Sequence, residues 1–296
     1  LSSRDPSSKE LMLGDFGLDR VDGDGSTALA GLFKIEHIQS KLVELKATLL
    51  QCDRDGKERS EYLESYLFLG NPGTGKTTVA RAMAQILNEL GVLGTTTVVA
   101  CSALDLQGSY LGQTKDKVNE LMAQAQGGVL FIDEAYTLGG GTAGGWTSYA
   151  QEAVDQLVAL MTEKEHLKKT VVILAGYKQP MERMIASANE GLRSRFEGRI
   201  EFPDWSADDC VACVRQKCES ENILLSNESE QELVQALREI QQRPGWANAR
   251  DSVTTYRLLY AARAKRCMHV AEAEANFTVE DVSAAMAALQ AQRPLG

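Results

Sequence analysis

The chain has 296 residues, 44% hydrophobic and 24% charged, enough to bury about three-quarters of its unfolded surface in one or two packed domains, so disorder is excluded as the overall state. Thirty-one lysines and arginines face 41 aspartates and glutamates, a net charge of −10, which disfavours non-specific binding to nucleic acid and to anionic lipid surfaces. No apolar run approaches the about 18 residues that span a bilayer, Leu1 to Glu10 lacks a signal-peptide core, and six irregularly spaced cysteines form no disulfide framework; the reading is intracellular, in a reducing compartment.

The chain opens on leucine, and its Ser/Asp/Pro-rich start reads as a linker over residues 1–27, as in a piece of a longer polypeptide. From Leu32, Ile35, Ile38, Leu42, Leu45 and Leu49 fall on one face of a helix. Tyr66 to Leu69 is a short strand ending at Gly70. A glycine-punctuated loop follows, then a helix carrying Val79, Met83, Ile86 or Leu87, and Leu90, closed by Gly91. Further strands are expected at Thr97 to Ala100, Val129 to Ile132, Val171 to Ala175 and Ile200 to Phe202, with helical spacing between them at Ala153, Val154, Leu157, Val158 and Met161. Such alternation predicts an α/β fold, a parallel sheet sandwiched by helices, over residues 28–203.

After Pro203 no strand-like run appears. Three helix starts are expected, at Ser206 with Asp209, Ser229 with Glu232, and Thr278 with Asp281. Pro244-Gly245 is read as interrupting the second helix, and a long helix from about Ala249 to His269 carries Val253, Tyr256, Leu259 and Tyr260. Residues 204–296 are therefore expected to form a small all-α domain, with the boundary near Pro203-Asp204.

Gly70-Asn71-Pro72-Gly73-Thr74-Gly75-Lys76-Thr77 fits the P-loop pattern between a strand and a helix. Glycines let successive N–H groups point at phosphates, the helix start adds its positive end, Lys76 supplies a point charge and Thr77 a magnesium ligand. Val129 to Ile132 delivers Asp133 and Glu134 at a strand's carboxyl end, where ligands bind open α/β sheets. Asp133 would reach Mg²⁺ through water, and Glu134 would orient and polarise the attacking water.

These motifs, with Gly127-Gly128-Val129-Leu130-Phe131-Ile132-Asp133-Glu134-Ala135-Tyr136, Val171-Val172-Ile173-Leu174-Ala175-Gly176-Tyr177-Lys178 and Trp246-Ala247-Asn248-Ala249-Arg250, resemble the CbxX/CfqX group of AAA+ ATPases. That group includes the red-type Rubisco activases, and the similarity runs from about Ala28 to Leu289. The resemblance implies ATP and Mg²⁺ as cofactors, with Thr78 and Ile35 joining the nucleotide site and Ile35 and His37 beside the adenine. It implies a hexamer that pulls a protein substrate, Rubisco being one candidate, into a central pore, in the cytoplasm or a plastid stroma. In Gly191-Leu192-Arg193-Ser194-Arg195-Phe196 an arginine would reach the neighbouring subunit's γ-phosphate, Arg195 first and Arg193 as the alternative. Arg250 matches the family's second sensor. Tyr110-Leu111-Gly112 matches its pore loop, and Gly139 to Trp146 is either a second pore loop or merely flexible. Where many AAA+ proteins place a first-sensor Asn or Thr, this chain has Ala175-Gly176-Tyr177, so Tyr177 is either a hydrogen-bonding substitute or a buried aromatic under the site.

Other patterns carry less. Asp15-Phe16-Gly17 has no kinase catalytic loop before it. Asp22 to Gly25 fails as a calcium loop, because that register puts Arg20 at the first ligand position and Gly31 at the twelfth. Cys210, Cys213 and Cys218 share one helix with no second Cys/His pair nearby, which favours core packing over zinc, and His37, His166 and His269 are scattered. Two competing functions remain open: a P-loop kinase of small molecules, and a nucleotide switch or scaffold module of a longer chain.

Overall fold

The computed structural model describes residues 36–58, 62–108, 112–139, 147–268 and 275–293. They fall into two compact units, one ending at Asp204 and the other beginning at Trp205.

The first unit is built on five parallel strands: β1 (Tyr66–Gly70), β2 (Val98–Ser102), β3 (Val129–Asp133), β4 (Val171–Gly176) and β5 (Gly198–Phe202). They lie in the order β2-β3-β4-β1-β5. Every neighbouring pair is parallel, with Phe68 opposite Ala175 and Ile200, and Phe131 opposite Ile173. All residues of β1 and β4 are buried, whereas β2 and β5 are partly exposed, as edge strands of a sheet covered on both faces. One face packs Leu67, Leu69, Leu130, Ile132, Val172 and Leu174 into a core with Val118, Val154 and Leu157. The Phe68 ring lies 6.4 Å from Phe131 and 5.0 Å from Phe202. Full burial of each such side chain contributes about 1.5–3 kcal/mol.

Helices α1 (Glu36–Arg54), α2 (Lys76–Glu89), α3 (Gln113–Gln124), α4 (Ser148–Leu160), α5 (Lys178–Ser187) and the single-turn α6 (Glu190–Arg193) complete the unit. Ile38, Leu42 and Leu49 of α1 are buried as the spacing predicts, and Leu45 is half-buried. Thr147 caps α4 by accepting from the Ala150 N–H at 3.1 Å, a start that the apolar spacing alone did not mark.

The second unit contains α7 (Ala207–Ser220), α8 (Asn227–Gln241), α9 (Ala249–Arg266) and α10 (Val279–Ala291). The capping boxes at Ser206 with Asp209 and Thr278 with Asp281 form as expected. Three expectations are corrected. The unit is not purely helical, because β6 (Leu224–Leu225) and β7 (Asn276–Phe277) pair in parallel; two-residue strands leave no alternation to read. Ser226, not Ser229, caps α8, while the fully buried Ser229 hydroxyl donates to the Phe277 carbonyl at 3.0 Å and so ties α8 to β7. Pro244-Gly245 does not interrupt α8, which has already stopped at Gln241; Gly245, at φ 88°, shapes the turn into α9. Helix α9 ends at Arg266, with Val253, Tyr256 and Leu259 buried and Tyr260 exposed.

Candidate functional site

Gly70 ends β1 against β5 so closely that a Cβ there would sit 2.4 Å from the Phe202 carbonyl oxygen. The chain then turns through Gly73 at φ 74° and Gly75 at φ 97°, conformations open to glycine and costly for other residues. Gly75 is the residue before α2, and the space a Cβ would take there is free of atoms within 4 Å, so backbone N–H groups can meet a ligand. Thr74 Oγ1 donates to the Asn71 carbonyl at 2.8 Å. Lys76 is buried, and its ammonium donates to the carbonyls of Gly70 at 2.8 Å and Asn71 at 2.9 Å. This cradle fits a polyphosphate, since a buried cation that rests on two backbone carbonyls gains from an anion brought beside it. Thr77 is half-buried and Thr78 buried on the first turn of α2, and Pro72 in the loop is half-buried.

Because all strands are parallel, β3 ends on the same edge of the sheet, one strand removed from β1 with β4 between them. Asp133 is half-buried there, and its Oδ1 accepts the Glu134 N–H at 2.9 Å. Glu134 is exposed and stands at φ 50°, a left-handed conformation that costs a non-glycine residue about 1–2 kcal/mol. Its carbonyl accepts both the N–H and the hydroxyl of Thr137 at 2.9 Å, so the backbone is pinned on both sides of the strained residue. A Cβ at Gly176, the end of β4, would strike the Tyr136 ring at 2.8 Å. Tyr177 is exposed rather than buried, with its ring 5.5 Å from that of Tyr136. Burial, then the Glu134 carboxylate, pushes the Tyr136 phenol above its ordinary pKa, so it stays protonated beside the two acids.

Arg193 is exposed at the end of α6, while Arg195 is half-buried and donates from Nη1 to the Gly191 carbonyl at 2.6 Å. Arg195 also lines a cavity of about 410 Å³ with Lys168, Glu64 and Glu197. In the second unit Arg250 is exposed on the first turn of α9. Of the remaining candidates Ile35, Tyr110 and Leu111 lie outside the described residues, as do the His37 side chain and the segments at Asp15, Asp22 and residues 140–146. Gly112, at φ 90°, immediately precedes α3. Burial raises the thiol pKa values of Cys210 and Cys218 to about 12 and of Cys213 to about 11, which suits core packing. No metal-holding cluster occurs among the described residues.

Two residues, one in each unit, escaped the motif reading. Asp204 receives Asn71 Nδ2 on both carboxylate oxygens, at 2.9 and 2.8 Å, across 133 residues of sequence, so no local signal marks it. Asn248, inside Trp246 to Arg250, is fully buried at φ 57°, and its side-chain oxygen accepts the Trp205 N–H at 2.7 Å.

A five-stranded parallel sheet with a glycine loop after β1 and paired acids after β3 defines a P-loop ATPase domain. Residues 66–204 match the profile of the ATPase family associated with various cellular activities (AAA), and the chain carries an AAA ATPase domain. Stage V sporulation protein K of Bacillus subtilis is 40% identical over 167 residues, 56% of this chain and 50% of that protein. Protein CfxQ of Xanthobacter flavus is 41% identical over 183 residues, 62% and 56% of the two chains. The ESX-1 secretion system protein EccA1 of Mycobacterium tuberculosis is 33% identical over 242 residues, 81% of this chain and 41% of that one. The chain thus spans about half the length of these relatives. The Thermotoga maritima RuvB Holliday junction branch migration motor shares the fold, with a TM-score of 0.60 over 88% of this chain and 71% of that one at 16% identity. No described helix is long and apolar enough to cross a membrane.

Proposed function

We propose that the chain hydrolyses ATP as a homohexameric AAA+ ring in the cytoplasm or a plastid stroma, and uses the cycle to remodel a protein partner. The observation that carries this reading is the buried Lys76 ammonium resting on two carbonyls of its own glycine loop, on the sheet edge that also bears Asp133 and Glu134. On this reading residues 28–203 are the nucleotide-binding domain and residues 204–296 its helical lid. Asn71 to Thr78 would cradle the phosphates and Ile35 would line the adenine site. Thr77, and Asp133 through water, would hold magnesium, which supplies charge neutralisation on the phosphates.

Glu134 is the proposed base. Its carboxylate is exposed while its backbone is fixed, so it can take hydrogen bonds from a water without shifting the strand behind it. Arg195, with Arg193 as the alternative, would reach a neighbouring subunit's nucleotide, and Arg250 would act from the lid of its own chain. Tyr110-Leu111-Gly112 would grip the partner. The resemblance to the CbxX/CfqX group makes red-type Rubisco inhibited by a sugar phosphate the first partner to try.

Imaging with and without ATP, together with ATPase and phosphate-transfer assays, tests the proposal. Six-fold rings with ATPase stimulated by a protein partner support it. Phosphate transfer to a small molecule by a monomer would replace it with a kinase, and negligible hydrolysis with a nucleotide switch. Failure on Rubisco alone removes only the activase assignment.

A further inference from the structure

The end of β4 leaves room for a ring. Gly176 is the last residue of that strand, and a Cβ on it would lie 2.8 Å from Cδ1 of Tyr136 and 3.0 Å from the Met181 side chain. A side chain at position 176 would therefore displace the Tyr136 ring, which lies against the backbone of β4. Gly176 pairs with Leu69 of β1, the neighbour of Gly70, and the Gly70 carbonyl accepts the Lys76 ammonium at 2.8 Å. On its other side β4 adjoins β3, where Ile132 stands opposite Leu174 and Asp133 and Glu134 follow. The ring thus covers the end of the strand that separates the paired acids from the start of the P-loop.

Several contacts hold that ring. Tyr136 belongs to a 3-10 turn, Ala135–Gly139, that begins directly after Glu134, and Thr137 bonds the Glu134 carbonyl through both its N–H and its hydroxyl at 2.9 Å. The ring packs against the core that contains Leu174 and the buried Met181, and lies 5.5 Å from the ring of Tyr177. Its hydroxyl is placed differently. Among the described residues it makes no hydrogen bond, although an enclosed phenol ordinarily finds a partner. Burial first, then the charges of Glu134 and Asp133, keep its proton in place, so it is a donor.

We propose that the Tyr136 hydroxyl is a further catalytic group, which orients the attacking water together with Glu134. The inference rests on the reading of Glu134 as the base, and goes beyond it by naming the group that fixes the other side of the water. A water held by one carboxylate alone can turn about that single hydrogen bond. A water between the two groups gives one O–H to Glu134 and accepts the phenol O–H on one lone pair, which leaves the second lone pair for phosphorus. The new O–P bond forms as the γ-phosphoryl group parts from ADP, the proton of the water passes to Glu134, and Tyr136 keeps its own.

Tyr136→Phe in the 296-residue chain keeps the ring against Gly176 and removes only the hydroxyl. It should melt with the parent and bind a non-hydrolysable ATP analogue within about twofold of the parent, while kcat falls at least about tenfold. Added to Glu134→Gln, it should slow turnover less than about twofold further, because both groups act on one water. If Glu134→Gln is slow as expected and Tyr136→Phe lowers kcat less than about tenfold, the hydroxyl takes no part and the role of Glu134 stands. The inference is likewise overturned, with Glu134 intact, if Tyr136→Phe loses stability or analogue affinity along with turnover, or if its loss multiplies with that of Glu134→Gln. If Glu134→Gln itself hydrolyses ATP at the parent rate, the role of Glu134 falls and the inference falls with it.

Discussion

The two units arrange their polar groups differently. In the α/β unit the proposed reacting groups stand in loops beyond the carboxyl ends of buried strands, and two of the glycines and Glu134 take left-handed conformations there. In the helical unit Ser229, Asn248, Asp251 and Asp281 are buried at or near helix starts, and their side chains bond residues outside their own helices: the Phe277 carbonyl, the Trp205 N–H, Arg293 and Arg266. A rigid sheet can carry exposed, strained chemistry without losing its fold, because its apolar core is independent of the loops. A small helical unit depends on its buried polar knots for position. Substitutions in the first unit should therefore change chemistry at constant stability, and those in the second should change stability first.

The largest effect is expected at the P-loop. Lys76→Ala should abolish nucleotide binding, whereas Glu134→Gln should keep binding and lower turnover at least about a hundredfold, because the lysine holds ground-state phosphates and the glutamate acts on the attacking water. The Glu134→Gln protein should melt close to the parent, since Glu134 is exposed and a change there costs at most about 0.5 kcal/mol. A Glu134→Gln protein that hydrolyses ATP at the parent rate would remove Glu134 from the mechanism.

Asp251→Ala probes the opposite case. Its carboxylate accepts the Ala247 N–H at 2.7 Å and pairs with Arg293, both partners of the ion pair being largely buried. Removing it strands a buried guanidinium and an N–H together, a loss of about 3–5 kcal/mol by denaturant titration. Arg293→Met should cost less, because Asp251 keeps the Ala247 N–H and the new side chain can lie against the Trp246 ring that the guanidinium now faces at 5.9 Å. Equal losses would break the distinction between the units.

Arg195→Ala should leave ATP affinity nearly intact and lower turnover about a hundredfold, about 2.7 kcal/mol of transition-state stabilisation. The bond from Arg195 to the Gly191 carbonyl holds α6 only locally, so stability should change little. Mixing Arg195→Ala subunits with Lys76→Ala subunits should restore activity at shared sites. No recovery, with the single variants behaving as expected, would transfer the role to Arg193 or exclude a site shared between chains.

The same contrast explains what could be read from residue order. The strands and the P-loop were legible because a sheet covered on both faces requires apolar runs, and phosphate binding requires glycines at fixed offsets from Lys76. The capping boxes at Ser206 and Thr278 were legible because both partners lie within one turn. Ser229 misled, since Ser226 offers the same chemistry three residues earlier and only the β7 carbonyl decides between them. The pairs Asn71–Asp204 and Trp205–Asn248 join residues 133 and 43 apart, beyond any local pattern. Glu134 showed its charge in the sequence, while its left-handed backbone depends on Thr137 and Asp133 together.

The smallest effect on the chemistry is expected at Tyr110, where the comparison between loop and core is sharpest. The stems of its loop are held firmly. A Cβ on Gly108 would lie 2.7 Å from the Thr114 N–H nitrogen, the Gly108 N–H donates to Thr114 Oγ1 at 3.1 Å, and Lys117 Nζ donates to the Gln107 carbonyl at 2.8 Å. Gly112 then enters α3 at φ 90°. With the residues on either side tied to one another, truncating the Tyr110 side chain should have little effect on folding. Tyr110→Ala should keep basal ATPase within about twofold, melt with the parent to within about 0.5 kcal/mol, and lose partner remodelling, because a tyrosine grips peptides through its apolar face at low entropic cost. A collapse of basal ATPase or of stability would make Tyr110 a packing residue of the α/β unit and withdraw the pore-loop assignment.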